Sequence, residues 1–186
     1  MNVALRKPMT LTEFLDWEHR QELRYEFDGF APVAMAGGTI AHATLQRNLA
    51  VSIAGRLRGK PCNFLGSDLK VQVAGSIRYS DGFVVCTPQD PRATVVHDPV
   101  IVFEVLSPST ARTDRIVKAR EYEATPSIQR YVMLEQDFVG ATVFARAALA
   151  WSAHTLTEED TLLLPEIDAA IPLAELYDGL SFGDSS

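Results

Sequence analysis

The chain has 186 residues, 47% of them hydrophobic and 22% charged, which excludes collagen-like, mucin-like and disordered classes. Lys and Arg number 17 against 24 Asp and Glu, a formal charge of -7. That balance argues against a protein that coats nucleic acid, which needs a basic excess to displace phosphate counterions. It leaves room for an enzyme that meets phosphates through a local basic patch and a carboxylate-held metal.

At ~150 residues per domain, the length predicts a single domain over 1–186, large enough to fold without staples. The opening MNVALRKPMTL lacks the apolar core of about 7–15 residues that a secretory signal carries. The longest apolar-rich tract, Val139 to Trp151, is interrupted by Arg146 and is too short to span ~30 Å of hydrocarbon. Cys62 and Cys86 show no CxxC-type spacing and lie in or beside apolar segments. The expectation is two reduced, buried thiols in a cytoplasmic protein. Gly183 to Ser186 are expected to fray.

Thr10-Leu-Thr-Glu13 is a capping-box pattern and predicts a helix from Leu11 to about Glu18, with Leu11, Phe14 and Leu15 inward. Asp28-Gly29 between the apolar runs 23–27 and 30–35 predicts a hairpin. Leu45, Leu49, Ile53 and Leu57 form one stripe at four-residue spacing, a core-facing helix ending at Gly59. Strands follow at Asp68 to Val73, Tyr79 to Cys86 and Val100 to Leu106; the last two carry continuous apolar runs, as central strands do. Thr87 to Pro99 reads as a loop. Ser107-Pro-Ser-Thr110 stops the third strand and caps a helix over 111–124, which Pro126 ends. Strands are predicted at Ile128 to Leu134 and Gly140 to Arg146, then a β-rich tail over 148–164 and a helical turn at Pro172 to Tyr177. The order predicts an α/β fold with a mixed central sheet flanked by helices, its core at about 39–146.

Glu104 interrupts Val100-Ile-Val-Phe-Glu-Val-Leu106, a segment otherwise built for the interior. An ionised carboxylate there needs a cation, hydrogen-bond donors or a raised pKa. It is either a satisfied core glutamate or a site acid. Asp81 opens the preceding strand and is followed by Gly82, which allows close approach to the backbone. It is either a strand-end turn residue or the partner of Glu104; were the strands neighbours, the two acids could share a divalent cation. Lys118, on the next helix, is either half of an Asp114–Lys118 surface pair, worth ~0.3–0.5 kcal/mol, or a charge-compensating cation at phosphorus. Arg112, Arg115 and Arg120 join it on that helix as a solvated face or a phosphate-facing patch. Glu26 could add a third carboxylate and His42 could contact a phosphate, against ordinary surface or capping roles. No GxGxxG, Walker loop, HExxH, zinc cysteine cluster or GxSxG elbow is present.

These residues, in this order, resemble the PD-(D/E)XK nuclease superfamily and, within it, the Uma-two family of restriction-endonuclease-like proteins. The most specific piece is Phe103-Glu-Val-Leu-Ser-Pro-Ser-Thr110 with Asp114, Lys118 and Tyr122; Arg24-Tyr-Glu-Phe-Asp-Gly29 and the His42 helix resemble the family's N-terminal part. The resemblance implies a restriction-endonuclease-like αβββαβ core, with an N-terminal helix-hairpin and a β-rich C-terminal extension. It implies Mg²⁺ or Mn²⁺ on Asp81 and Glu104, with Glu26 as third acid, and Lys118 as the catalytic lysine. The superfamily lysine two residues after the glutamate is absent, since Leu106 stands there; Ser80 stands for the usual proline. The stretch from Tyr25 to Phe30 is one residue shorter than the family pattern. The implied activity is metal-dependent endonucleolytic hydrolysis of DNA by a cytoplasmic homodimer, with His42, Arg112 and Arg115 near the phosphates. Two other readings stand beside it: an inactive nuclease-fold module that associates with DNA or protein as a dimer, and a hydrolase of small phosphoesters.

Overall fold

The structure, a computed structural model, describes residues 8–35, 37–108, 110–147 and 150–182. The tail from Gly183 to Ser186 and Ser109 of the predicted cap lie outside them.

Helix α1 (Leu11–Glu18) starts on the capping box: Thr10 Oγ1 accepts from Glu13 N at 3.2 Å, and Glu13 Oε2 accepts from Thr10 N at 2.7 Å. It stacks Phe14 on Phe27 at 5.0 Å between ring centroids. Phe27 belongs to β1 (Tyr25–Phe27), which pairs antiparallel with β2 (Pro32–Ala34) through the Asp28-Gly29 turn, Gly29 taking φ +83°. The hairpin is not an appendage. It pairs onward with β5 (Ser76–Arg78), then β4 (Lys70–Val73) and β7 (Val95–Val96), giving a five-stranded sheet ordered β2-β1-β5-β4-β7. The short β7 lies inside the predicted 87–99 loop and runs parallel to β4.

The larger sheet has six strands in the order β11-β10-β9-β8-β6-β3. These are β3 (Asn63–Gly66), β6 (Gly82–Val85), β8 (Ile101–Leu106), β9 (Arg130–Glu135), β10 (Ala141–Arg146) and β11 (Trp151–Leu156). It is mixed: β8 and β9 run parallel, and the other neighbours are antiparallel. The predicted strand from Tyr79 to Cys86 therefore begins only at Gly82. β5 belongs to one sheet, β6 to the other, and residues 79–81 carry the chain between them. An apolar run does not say which ladder its backbone will join; pairing partners decide that.

Helix α2 (Ile40–Arg56) covers one face of the large sheet, burying Leu45, Leu49 and Ile53 completely against Phe103, Val105 and Val132. Each such side chain contributes ~1.5–3 kcal/mol. A C-terminal unit completes that side: the hairpin of β12 (Thr161–Leu164) and β13 (Ala169–Pro172) with α4 (Leu173–Leu176), through Leu162, Ile171 and Leu176. The other face is covered by the segment after β8. Where one regular helix was predicted over 111–124, a π helix (Thr113–Lys118) leads into α3 (Ala119–Glu123), with Ala119 N donating to Asp114 O five residues back. Val102 and Leu106 face this side with Tyr122, Tyr131 and Met133.

Cys62 and Cys86 form a disulfide, which corrects the expected pair of free thiols. Asn63 pairs with Val85, so the two cysteines meet one step beyond the β3–β6 ladder. Sequence spacing could not display a contact made by strand register. No helix among the described residues is long and apolar enough to cross a membrane.

Candidate active site

Glu104 alternates with Phe103 and Val105, which face α2, and therefore points to the opposite side, covered by the π helix and α3. It is 3% exposed. Its Oε1 accepts from Tyr122 OH at 2.8 Å and from Lys118 Nζ at 3.0 Å. Lys118 is not a surface residue. Its ammonium lies within 3.3 Å of Glu26 Oε1 and 3.1 Å of Asp114 Oδ1, besides Glu104. Asp114, Lys118 and Tyr122 follow at intervals of four and are all buried. The wider π turn keeps them on one face, and such turns recur at functional sites.

Burial raises the Glu104 carboxyl well above its usual pKa, helped by Asp81, Asp114 and Glu26, while Lys118 pulls the other way. For Lys118 burial acts to lower the pKa, but the carboxylates of Glu104, Glu26 and Asp114 outweigh it and hold the ammonium charged.

Asp81 sits where the chain leaves one sheet for the other. Gly82 pairs with Phe103, which brings Asp81, one residue earlier, level with Glu104. Val105 N donates to Asp81 Oδ2 at 2.6 Å, tying the aspartate to the residue after Glu104. Asp81 Oδ1 accepts from His42 Nε2 at 2.8 Å and from Gln46 Nε2 at 2.6 Å. The bond to Asp81 raises the His42 pKa above its usual value against the effect of burial. The group that approaches the Gly82 backbone closely is the Phe64 ring.

Glu26 is turned towards cations. Its Oε2 accepts from Arg78 Nη1 and its Oε1 from Tyr79 N, each at 3.1 Å. Arg78, 1% exposed, also makes a bidentate pair with Glu121 at 2.7 and 2.6 Å. Arg78 and Gln46 are site residues that the sequence does not single out. An arginine inside Ser76-Ile-Arg-Tyr79 and a glutamine four residues after His42 were the available signals.

Asp81, Glu104, Asp114 and Lys118 line a cavity of about 530 Å³, with Glu26, Arg24 and His42; Val33, Ala34 and Met35 form an apolar wall. Arg115 and Arg120 are not brought there. They line a separate groove with Phe144 and Trp151, and Arg115 pairs with Glu135 at 2.6 Å. Arg112 is exposed and lines neither space.

Among the described residues, no three His, Cys, Asp or Glu side chains form a ready-made cation cage. Asp81 and Glu104 nonetheless fit a hard divalent cation, which prefers one or two protein carboxylates and takes its other oxygens from water and phosphate. Four carboxylates line the cavity against two cationic side chains, Arg24 and Lys118.

The fold thus sets an acidic cluster on a mixed central sheet, where Asp81, one residue before β6, comes level with Glu104 of β8. The chain belongs to the Uma2 family, described as "Putative restriction endonuclease", whose profile matches residues 11–173. It is 32% identical over 174 residues to "Uncharacterized protein slr1290" of Synechocystis sp., covering 91% of this chain and 92% of that one. A second Synechocystis protein, "Uncharacterized protein sll1609", is 28% identical over 141 residues, 73% of this chain and 80% of its own. The fold matches the crystal structure of "a putative nuclease belonging to DUF820" from Anabaena variabilis with a TM-score of 0.76 and 15% identity, over 91% of this chain and 98% of that one.

Proposed function

We propose that this protein is a divalent-metal-dependent endonuclease that hydrolyses DNA phosphodiester bonds, with Mg²⁺ or Mn²⁺ held by Asp81 and Glu104. The observation that carries this reading is the level placement of Glu104 on β8 and Asp81 one residue before β6, with the Lys118 ammonium 3.0 Å from Glu104. When bound, the ion supplies a Lewis acid for the phosphate and lowers the pKa of a bound water. Lys118, supplied by the following helix instead of position 106, offsets the negative charge gathering on phosphorus oxygens. Glu26 holds Arg78 and Lys118 in place and so sets the position of the lysine. In this reading Arg112, exposed at the start of the π helix, meets the DNA backbone outside the cavity. Two copies, one for each strand, complete the reading.

One observation favours a second reading, a nuclease-fold module that binds DNA or protein without cutting. Lys118 is already in ionic contact with three carboxylates. Plasmid nicking with Mg²⁺ or Mn²⁺, run beside Asp81→Ala and Glu104→Ala, separates the two. Metal-dependent nicking lost in both variants supports the enzyme. Absence of nicking with retained DNA affinity supports the module, and turnover of a model diester without DNA affinity supports a small-phosphoester hydrolase.

A further inference from the structure

We propose that the first turns of α2 are the positioning element of the site: His42 and Gln46 fix the Asp81 carboxylate, and Gly38 leaves the space that the His42 ring needs. This rests on the reading of Asp81 as a metal ligand.

His42 and Gln46 are four residues apart on one helix face. Both reach the same oxygen, Asp81 Oδ1, at 2.8 and 2.6 Å. Val105 N takes the other oxygen at 2.6 Å. A carboxylate offers about four acceptor sites, two on each oxygen. Oδ1 is therefore filled, and Oδ2 keeps one site for a cation. Without these donors, the terminal torsion of an aspartate is broad and roughly two-fold. With them, the plane of the carboxylate is set by α2 on one side and β8 on the other.

The helix end that carries the two donors is itself pinned. Thr39 caps it by accepting from His42 N at 3.1 Å, and Thr39 Oγ1 donates to Gln136 Oε1 at 2.9 Å, beyond β9. Gly38 lies beneath the imidazole: a Cβ there would stand 3.1 Å from His42 Cγ and Cδ2 and 3.3 Å from its Cβ. An alanine there requires the ring to give by a few tenths of an ångström, against its 2.8 Å bond to Asp81. The glycine is needed for that packing and not for its own backbone angles.

Two measurements test this. In ¹⁵N NMR spectra of the metal-free protein, the Gln46 side-chain amide resonance should move in Asp81→Ala; an unmoved resonance overturns the contact. In calorimetric titration with MnCl₂, Gln46→Met and His42→Ala should weaken binding about 10–100-fold, as loss of a partner that orients a ligand does. His42→Gln, which retains a donor, should recover part of the loss. Gly38→Ala should weaken Mn²⁺ binding in the parent and have no further effect in His42→Ala, a coupling that general loss of packing does not produce. Parent-like affinity in Gln46→Met, or additive effects of Gly38→Ala and His42→Ala, overturns the positioning role and leaves the metal reading standing. A parent that binds no Mn²⁺, or an Asp81→Ala variant that binds as well as the parent, overturns the metal reading and this proposal with it.

Discussion

Lys118 Nζ lies 3.0 Å from Glu104 Oε1, a buried ammonium joined to a buried carboxylate 14 residues away in the chain. The two come from consecutive elements, β8 and the π helix, so only a short connection has to close. Desolvating such a pair offsets most of its Coulomb attraction. The cluster is therefore poor as a source of stability, which agrees with the role proposed for Lys118.

Removing the lysine exposes that imbalance. Lys118→Met leaves Glu104, Glu26 and Asp114 facing one another in the interior and should cost about 3–5 kcal/mol in urea unfolding. Adding Glu104→Gln should restore part of the loss. An additive double variant would contradict the coupling.

Gly82 is pressed by the Phe64 ring, with Cζ 2.4 Å from where a Cβ would stand. Gly82→Ala should destabilise by about 1–3 kcal/mol, the ordinary cost of overpacking. Phe64→Leu in the same chain should relieve it. Denaturant midpoints of the four proteins decide the matter.

The Cys62–Cys86 disulfide spans 24 residues of sequence. A loop of that size corresponds to about 3–4 kcal/mol of restricted unfolded-state entropy. Reductant should lower the unfolding midpoint of the parent and leave a Cys62→Ser/Cys86→Ser variant unchanged. Equal midpoints with and without reductant would sink the assignment.

Glu175 on α4 pairs with Arg56 of α2 at 2.7 and 2.8 Å, and this contact lowers its pKa below the usual 4.5. Because the folded pKa is depressed, the stabilisation is present above about pH 4.5 and is lost as pH falls through the lower folded value. Glu175→Gln should flatten the acid limb of the stability–pH curve relative to the parent. Parallel acid limbs would show that α4 is not held this way.

Glu104 was legible because a lone acid in an apolar strand breaks its pattern. Lys118 was legible through the family resemblance, its spacing alone being equally that of a surface ion pair with Asp114. Gln46 was not, since a glutamine near a helix start has no pattern to break. Arg78 was hidden by the prediction of one strand from Tyr79 where two sheets divide the chain. Arg115 and Arg120 flank Lys118 in the chain but line a different groove, which a count of charges along the chain cannot reveal.

Capping at Thr10, the Asp28-Gly29 turn, the leucine stripe of α2 and the apolar cores of β6, β8 and β9 were all written in nearest-neighbour chemistry. Periodicity and hydrogen bonds within a few residues specify them with little help from elsewhere. The crossing between sheets at residues 79–81, the cysteine pairing, the π turn that buries Lys118 and the grip of α2 on Asp81 depend on segments distant in the chain. Their geometry follows from strand register and side-chain packing, which exist only once those segments meet.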